Sequence, residues 1–469
     1  MKRFALLLLV ASSSTWTTLS AWSAQRPNYG ETLRVEMQAA VSSFEPPIQP
    51  GITEADGLIK LRALLYDRLV RLGLNGQPQP ALAVSWQHNS ANTQWQFKLR
   101  AGVKWHDGAE LTPVDILSCL QGTPFAGQLQ LKGDSLKADF SEPRPDLLLV
   151  LATDSNTIIR RKEAATPTGP SPGTGPFRLI EWHPGVRAVF QANEDYWGGR
   201  PYLDNIDVIL GRSSRDELID LEQDKADLVQ LDPSEARRAQ QEGRKVWATS
   251  PIELLSLQFD VSRPKVQDAR LREAIVFSID RTAIQKVILQ NYGEATGSFL
   301  PHWLSGYSFL FSSVPDLERA RKRLSEIGKL SPFKIGYDAP DRLARQVAER
   351  IAVNLRDVGI ILEAVPQQSN GKFNSNENAD LRIARNRVEG PTFDAAVEQA
   401  AAAGLTIPAG GKHGPEDVYA AEQQALADYT HVPLVYVPEL FGIGPRLKAW
   451  LATQWGDWRL EDVWLQTGQ

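Results

Sequence analysis

The chain has 469 residues, 42% of them apolar and 23% charged, and its 51 Lys+Arg against 56 Asp+Glu leave a formal net charge of −5. That balance gives no basic footprint for nucleic acid or an anionic membrane. The length exceeds the roughly 250–300 residues at which one hydrophobic core stops growing, so two or three domains are expected.

The first residues read as an export signal rather than as part of the fold. Lys2 and Arg3 precede the apolar run FALLLLVA (4–11), and small residues lead to Ala21-Trp22-Ser23-Ala24, where cleavage after Ser23 follows the small-x-small pattern. A membrane anchor needs about 20 apolar residues, which this run does not reach. No cysteine stands near it for lipid attachment, so a protein free outside the cytoplasm is expected, periplasmic in a cell with two membranes.

Further along, LRVEM reads as a strand. In 59–72 (IKLRALLYDRLVRL), Leu61, Leu64, Leu65, Leu69 and Leu72 recur at helical spacing. Asn75-Gly76 marks a turn, and WQFKL (95–99) alternates as a half-buried strand does. Thr112-Pro113-Val114-Asp115 is a helix start: a hydroxyl cap, proline at the first helical position and an acid in the first turn. The stretch EAATPTGPSPGTGP (163–176) suits a surface crossover between domains. Beyond it, strand-like runs (FRLIEW, NIDVIL, LLSLQFD, FKIGY, IILEAV, PLVYV) alternate with helical ones. In 343–358 Leu343, Val347, Ile351, Leu355 and Val358 define one buried helix face. Alternation of this kind argues α/β.

Chemistry-bearing motifs are few. Gly169-Pro170-Ser171-Pro172-Gly173 matches a serine-hydrolase string, but a nucleophile elbow needs a strand entering and a helix leaving, and the flanking prolines allow neither. The six histidines are scattered singly, and the single cysteine, Cys119, excludes a disulfide framework and a cysteine zinc cluster. No phosphate loop or dinucleotide fingerprint is present. No catalytic residue, metal ligand or cofactor is therefore expected. Several tryptophans, among them Trp86, Trp105, Trp197 and Trp303, stand beside turn or polar residues, as in clefts that stack on organic ligands.

Three segments carry a resemblance: residues 64–116; residues 173–210, with G-T-G-P-aromatic followed by N-x-D-Y-W-G-G-x-P-Y-L-D; and LREAIVFSIDRTAI (271–284). Together they resemble the family 5 extracellular solute-binding proteins, the dipeptide/oligopeptide-binding receptors that serve ABC importers. The resemblance implies a hinged, two-lobed α/β periplasmic-binding-protein fold with a subdomain inserted in lobe I. Its parts would be a signal peptide (1–23), lobe I (24–46, 169–262 and a C-terminal return at 432–469), the inserted subdomain (47–168) and lobe II (263–431). It implies a monomeric receptor, not an enzyme, that closes on a small organic solute, peptide-like or anionic, and docks on permease subunits; the alternatives are an exported hydrolase using the same cleft and a receptor-like protein that has lost transport.

Departures from the family pattern are local. The end of the inserted subdomain is short, and Asp224 stands where glycine is usual. The W-x-x-D-Y-x-D-P-like loop, whose aspartate neutralises a peptide amino terminus, is matched only by ADLRIARNRVEGPTFD (379–394). Alternation there buries Leu381 and Ile383, turns Arg382 to the opposite face and leaves Arg385 and Arg387 on the following loop. An anionic ligand group near these arginines is therefore expected, with Glu389 able to neutralise one of them. Phe44 and Trp303 complete the candidate ligand-binding residues.

Overall fold

The computed structural model describes residues 27–44, 52–123, 125–152, 171–305, 313–367, 379–388, 392–406, 415–450, 455–456 and 458–466. The export signal, Glu389 and the first part of the 163–176 crossover lie outside the described residues.

Strand β1 (Thr32–Glu36) is followed by helix α1 (Ile52–Leu65). The helical spacing of 59–72 persists only to Leu65. Leu61, Leu64 and Leu65 enter one core, whereas Leu69 and Leu72 enter another, Leu72 from a short strand. The cause is the Gly173-Thr174-Gly175 segment, which crosses the end of the helix. The last carbonyls of a helix lack intrahelical partners, and Gly175 N–H donates to Leu65 O at 2.9 Å. A Cβ on Gly173 would lie 1.8 Å from that same oxygen, so only glycine fits. In the hydrolase-like string Ser171 is buried, and its carbonyl accepts from the Tyr66 hydroxyl at 3.1 Å.

The inserted subdomain contains β2 (Ala83–His88), β3 (Gln94–Leu99), α2 (Pro113–Cys119), β4 (Leu129–Lys132) and β5 (Ser135–Asp139). Its strands form an antiparallel sheet in the order β2-β3-β5-β4 over Trp95, Phe97 and Trp105. The Thr112 hydroxyl and the Asp115 carboxylate cap α2 reciprocally, as the sequence predicts.

The chain continues through β6 (Phe177–His183), β7 (Arg187–Ala192), β8 (Asn205–Ile209), α3 (Ser214–Glu222), β9 (Leu228–Gln230), α4 (Pro233–Gln241) and β10 (Lys245–Ala248). Next come β11 (Glu253–Phe259), β12 (Glu294–Ala295), β13 (Phe333–Asp338), α5 (Arg342–Arg356), β14 (Leu362–Gln367), β15 (Leu381–Arg387), β16 (His431–Val437) and β17 (Leu440–Ile443). One sheet has the order β10-β17-β9-β1-β8-β7-β6 and the other β12-β16-β11-β15-β13-β14. Each has its own core, and α1 and the C-terminal Trp450, Trp458 and Leu460 join the first. The result is a two-lobed α/β fold. Asp224 adopts the left-handed conformation (φ 55) that explains why glycine would suit its position.

Two segments cross between the lobes: 249–252, leading from β10 to β11, and 438–439, leading from β16 to β17. They bind each other. Thr249 N donates to Glu439 O (3.0 Å), Ile252 N to Val437 O (3.2 Å) and Glu439 N to the Thr249 hydroxyl (2.9 Å). The resemblance put these crossings at 262/263 and 431/432. The sheets move both, because β11 and β16 pair with each other in the second lobe.

Candidate inter-lobe binding site

A cavity of about 380 Å³ lies between the lobes above the crossing segments. Gln38, Arg212, Arg215 and Asp232 line it from the first lobe, Asp341, Arg342 and Arg385 from the second, Glu439 from a crossing and Asp56 from α1. Helix starts position much of this wall. Ser213 caps α3, accepting from Asp216 N at 3.2 Å, and Asp341 caps α5, accepting from Ala344 N at 2.9 Å. Asp232 occupies the cap position of α4, yet its side chain makes no capping bond. Arg342, at the start of α5, reaches across to the first lobe, with Nη1 2.9 Å from Glu235 and 3.5 Å from Asp232.

Beneath the cavity lies a buried network of charge. Arg387 Nη1 donates to Asp56 Oδ1 (2.8 Å) and Glu439 Oε1 (2.7 Å), and Nη2 donates to the Trp455 carbonyl (2.7 Å). Lys60 Nζ meets the same Glu439 oxygen at 2.6 Å. Arg385 pairs with Glu253 through Nε (2.8 Å) and with Asp341 at 3.4 Å. The network thus ties α1 and a crossing segment to β15. Glu253 and Arg387 are register partners on β11 and β15, and Arg385 lies two residues along on the same face.

Burial raises the Asp56 carboxyl to about 6; Arg387 opposes the shift and Glu253 adds to it. Burial likewise raises Asp232 to about 6, with Glu235 contributing. Burial works against the Arg385 charge, yet Glu253 and Asp341 hold its pKa above the ordinary value. Asp56, Glu253 and Glu439 place carboxylate oxygens within 4.8 Å of one another, a spacing suited to a cation. Arg387 and Lys60 already supply positive charge there.

The sequence-predicted residues fall in different parts of the fold. Arg385 and Arg387 belong to the network, but as the end of strand β15 rather than on a loop after it. The strand continues because its pairing with β11 runs to Glu253. Arg382 is 1% exposed and faces the Asp338 carboxylate at 3.7 Å. All three arginines thus face carboxylates of their own chain, and only Arg385 lines the cavity. Phe44 is buried in the first-lobe core with its ring 4.7 Å from Trp182. Trp303 donates to Pro251 O on a crossing segment (3.2 Å) and packs 4.7 Å from Trp455, outside the cavity wall.

Asp56, Lys60, Asp232, Glu253, Asp341 and Glu439 were missed. The available signal was charge embedded in apolar runs: Glu253 opens a strand buried at all seven positions, and Glu439 sits between two buried strands.

The sequence profile of the bacterial extracellular solute-binding proteins, family 5, matches residues 77–123 and 125–404, more than half of the chain. The chain belongs to this family. Among family 5 relatives, the dipeptide-binding protein of Escherichia coli (strain K12) is 24% identical over 347 residues, covering 63% of this chain and 65% of that protein. The chain therefore spans less than two thirds of that relative's length. The nickel-binding periplasmic protein of the same organism is 22% identical over 391 residues, covering 74% of each. Among solved structures, the ABC transporter-associated periplasmic binding protein DppA from Helicobacter pylori in complex with the peptide STSA superposes with a TM-score of 0.76. It is 18% identical and covers 94% of this chain and 99% of that one. NikA from Staphylococcus aureus in complex with Ni(L-His)2 gives 0.75 at 18% identity, covering 93% and 100%.

Proposed function

We propose that this chain is an exported, periplasmic solute-binding receptor of an ABC importer. It captures a small organic solute between its lobes and presents the closed form to a membrane permease. The observation that carries the reading is the polar cavity walled by both lobes over two crossing segments. Such a site couples occupancy to lobe closure, because a ligand touching both walls favours the closed state by its differential contacts. Family membership supports the receptor role, and Lys2, Arg3 and the apolar run after them support export. In this reading the solute is released unchanged, which the binding role of the family supports.

The test is a thermal-shift screen of the purified protein against peptides, sugars, opines, organic acids and metal chelates, followed by small-angle scattering with each hit. A ligand at about 100 times its Kd stabilises by about 2.7 kcal/mol. Binding should also reduce the radius of gyration. Tight ligands that leave the radius unchanged, or hydrolytic turnover of a bound ligand, would overturn the receptor reading.

A further inference from the structure

The first-lobe wall of the cavity sets two acceptors, the Gln38 side-chain oxygen and the Asp232 carboxylate, beside Arg212 and Arg215. Gln38 Nε2 donates to Glu217 Oε2 (3.3 Å) and to Gln230 O (3.2 Å), which consumes both amide hydrogens. The opposite amide orientation would set Oε1 against a carboxylate and a carbonyl, so the geometry fixes Oε1 as the atom left for other contacts. Asp232 lines the same wall. Its carboxylate caps no helix, and its nearest cation is Arg342 Nη1 at 3.5 Å, a group bound more closely to Glu235 at 2.9 Å. Behind Gln38, Glu217 is fully buried with Oε1 unpartnered among the described residues, and Glu439 on the cavity floor keeps Oε2 likewise.

Positive groups at the wall are largely engaged. Arg212 pairs with Glu36 and Asp220, and Arg385 with Glu253 and Asp341. The helix starts are answered by acids of their own first turn or cap: Asp216 and Glu217 on α3, Glu235 on α4 and Asp341 on α5. Arg215 has no ion pair among the described residues, but it is exposed, where water screens it. Buried acceptors without donors carry a desolvation cost that a ligand donor relieves.

We propose that the solute presents a protonated amine to the first-lobe wall, received by the Asp232 carboxylate and Gln38 Oε1. This rests on the reading of the cavity as the ligand site, and it places the cationic end of the solute against the first lobe. It also replaces the expectation of an anionic group at Arg382, Arg385 and Arg387, which are occupied from within. The groups facing Asp232 are Glu235 on its own helix, Asp341 and Arg342 at the start of α5, Arg385 on β15 and Glu217 on α3, whose own carboxyl burial holds well above the ordinary value. Burial and Glu235 hold its carboxyl at about 6, so a bound ammonium would pull that value down and release a proton.

Isothermal titration of the purified protein with three five-carbon probes tests this: 1,5-diaminopentane, 5-aminopentanoate and glutarate. The two amines should bind and glutarate should not. Asp232→Asn, which keeps the shape and a capping residue, should weaken the amines at least tenfold. Gln38→Leu should weaken them several-fold, with thermal melts confirming the fold of both variants. Amine affinity should fall about tenfold from pH 7 to pH 5 as Asp232 takes up its proton. Three outcomes would overturn the proposal: glutarate binding more tightly than the diamine, neither amine binding, or amine affinity unmoved by both substitutions. Glutarate binding weakened by Arg215→Ala would reject the amine while leaving the receptor reading intact. The solute screen with scattering tests that reading separately.

Discussion

Replacing Arg387 by methionine should unpin the lobe junction, and the structure sets the size of the effect. The guanidinium is the only cation paired with the Asp56 carboxylate among the described residues, shares Glu439 with Lys60 and holds the Trp455 carbonyl. Its side chain is 10% exposed, so screening by water is slight. Removing one partner of a buried ion pair costs about 3–5 kcal/mol. The abandoned carbonyl adds to that, but Asp56 limits the total by accepting a proton, its pKa being already raised to about 6. A net loss of about 4 kcal/mol at pH 7.5 is therefore expected, falling by about 1–2 kcal/mol at pH 5, where protonating Asp56 costs nothing further. Urea denaturation of the wild type and Arg387→Met at both pH values measures the two differences. A loss under about 1 kcal/mol at pH 7.5, or one independent of pH, would refute the view of this network as a structural pin.

Three further outcomes are expected. Asp56 binds its proton more tightly when folded than the ordinary carboxyl value near 4 allows, so the stability it contributes is greatest below about pH 4 and is lost as pH rises through about 6. Between pH 4 and 7 the wild type should lose on the order of 2–3 kcal/mol more than Asp56→Asn, read from urea midpoints at constant ionic strength. Gly173→Ala drives a methyl into Leu65 O and should cost about 3 kcal/mol, seen as a large drop in Tm. Asp224→Ala should be less stable than Asp224→Gly by about 1 kcal/mol in thermal melts, because only glycine occupies a φ of 55 without strain.

Much of the fold was legible where a local pattern decides it. Leu343, Val347, Ile351 and Leu355 step along one face of α5, and Thr112 with Asp115 caps α2, because period and cap chemistry need only near neighbours. The crossings were not legible. β11 and β16 are apolar runs that would suit either sheet, and nothing in a strand's composition names the sheet it joins. The end of helix α1 escaped for a related reason: Leu65 is stopped by Gly175, far along the chain. The site was half visible. The arginines of β15 were noticed as unusual, but their partners Asp56, Glu253 and Glu439 belong to no motif. The charge balance that decides what the cavity can hold emerges only when the two lobes meet.

The placement of β17 sets an order of assembly. Every strand of the second sheet comes from the continuous stretch 253–437, so that lobe can complete its sheet with no help from the rest of the chain. The first sheet cannot. β17 lies between β9 and β10, joining Val229 to Val246 through Gly442, and it is the last strand of either sheet to be synthesised. Until it arrives, β10 has no neighbour and β9 presents an open edge, the kind of surface that pairs with other chains. Insertion of the C-terminal strand into a lobe begun some four hundred residues earlier is therefore the step expected to be slowest and most exposed to aggregation.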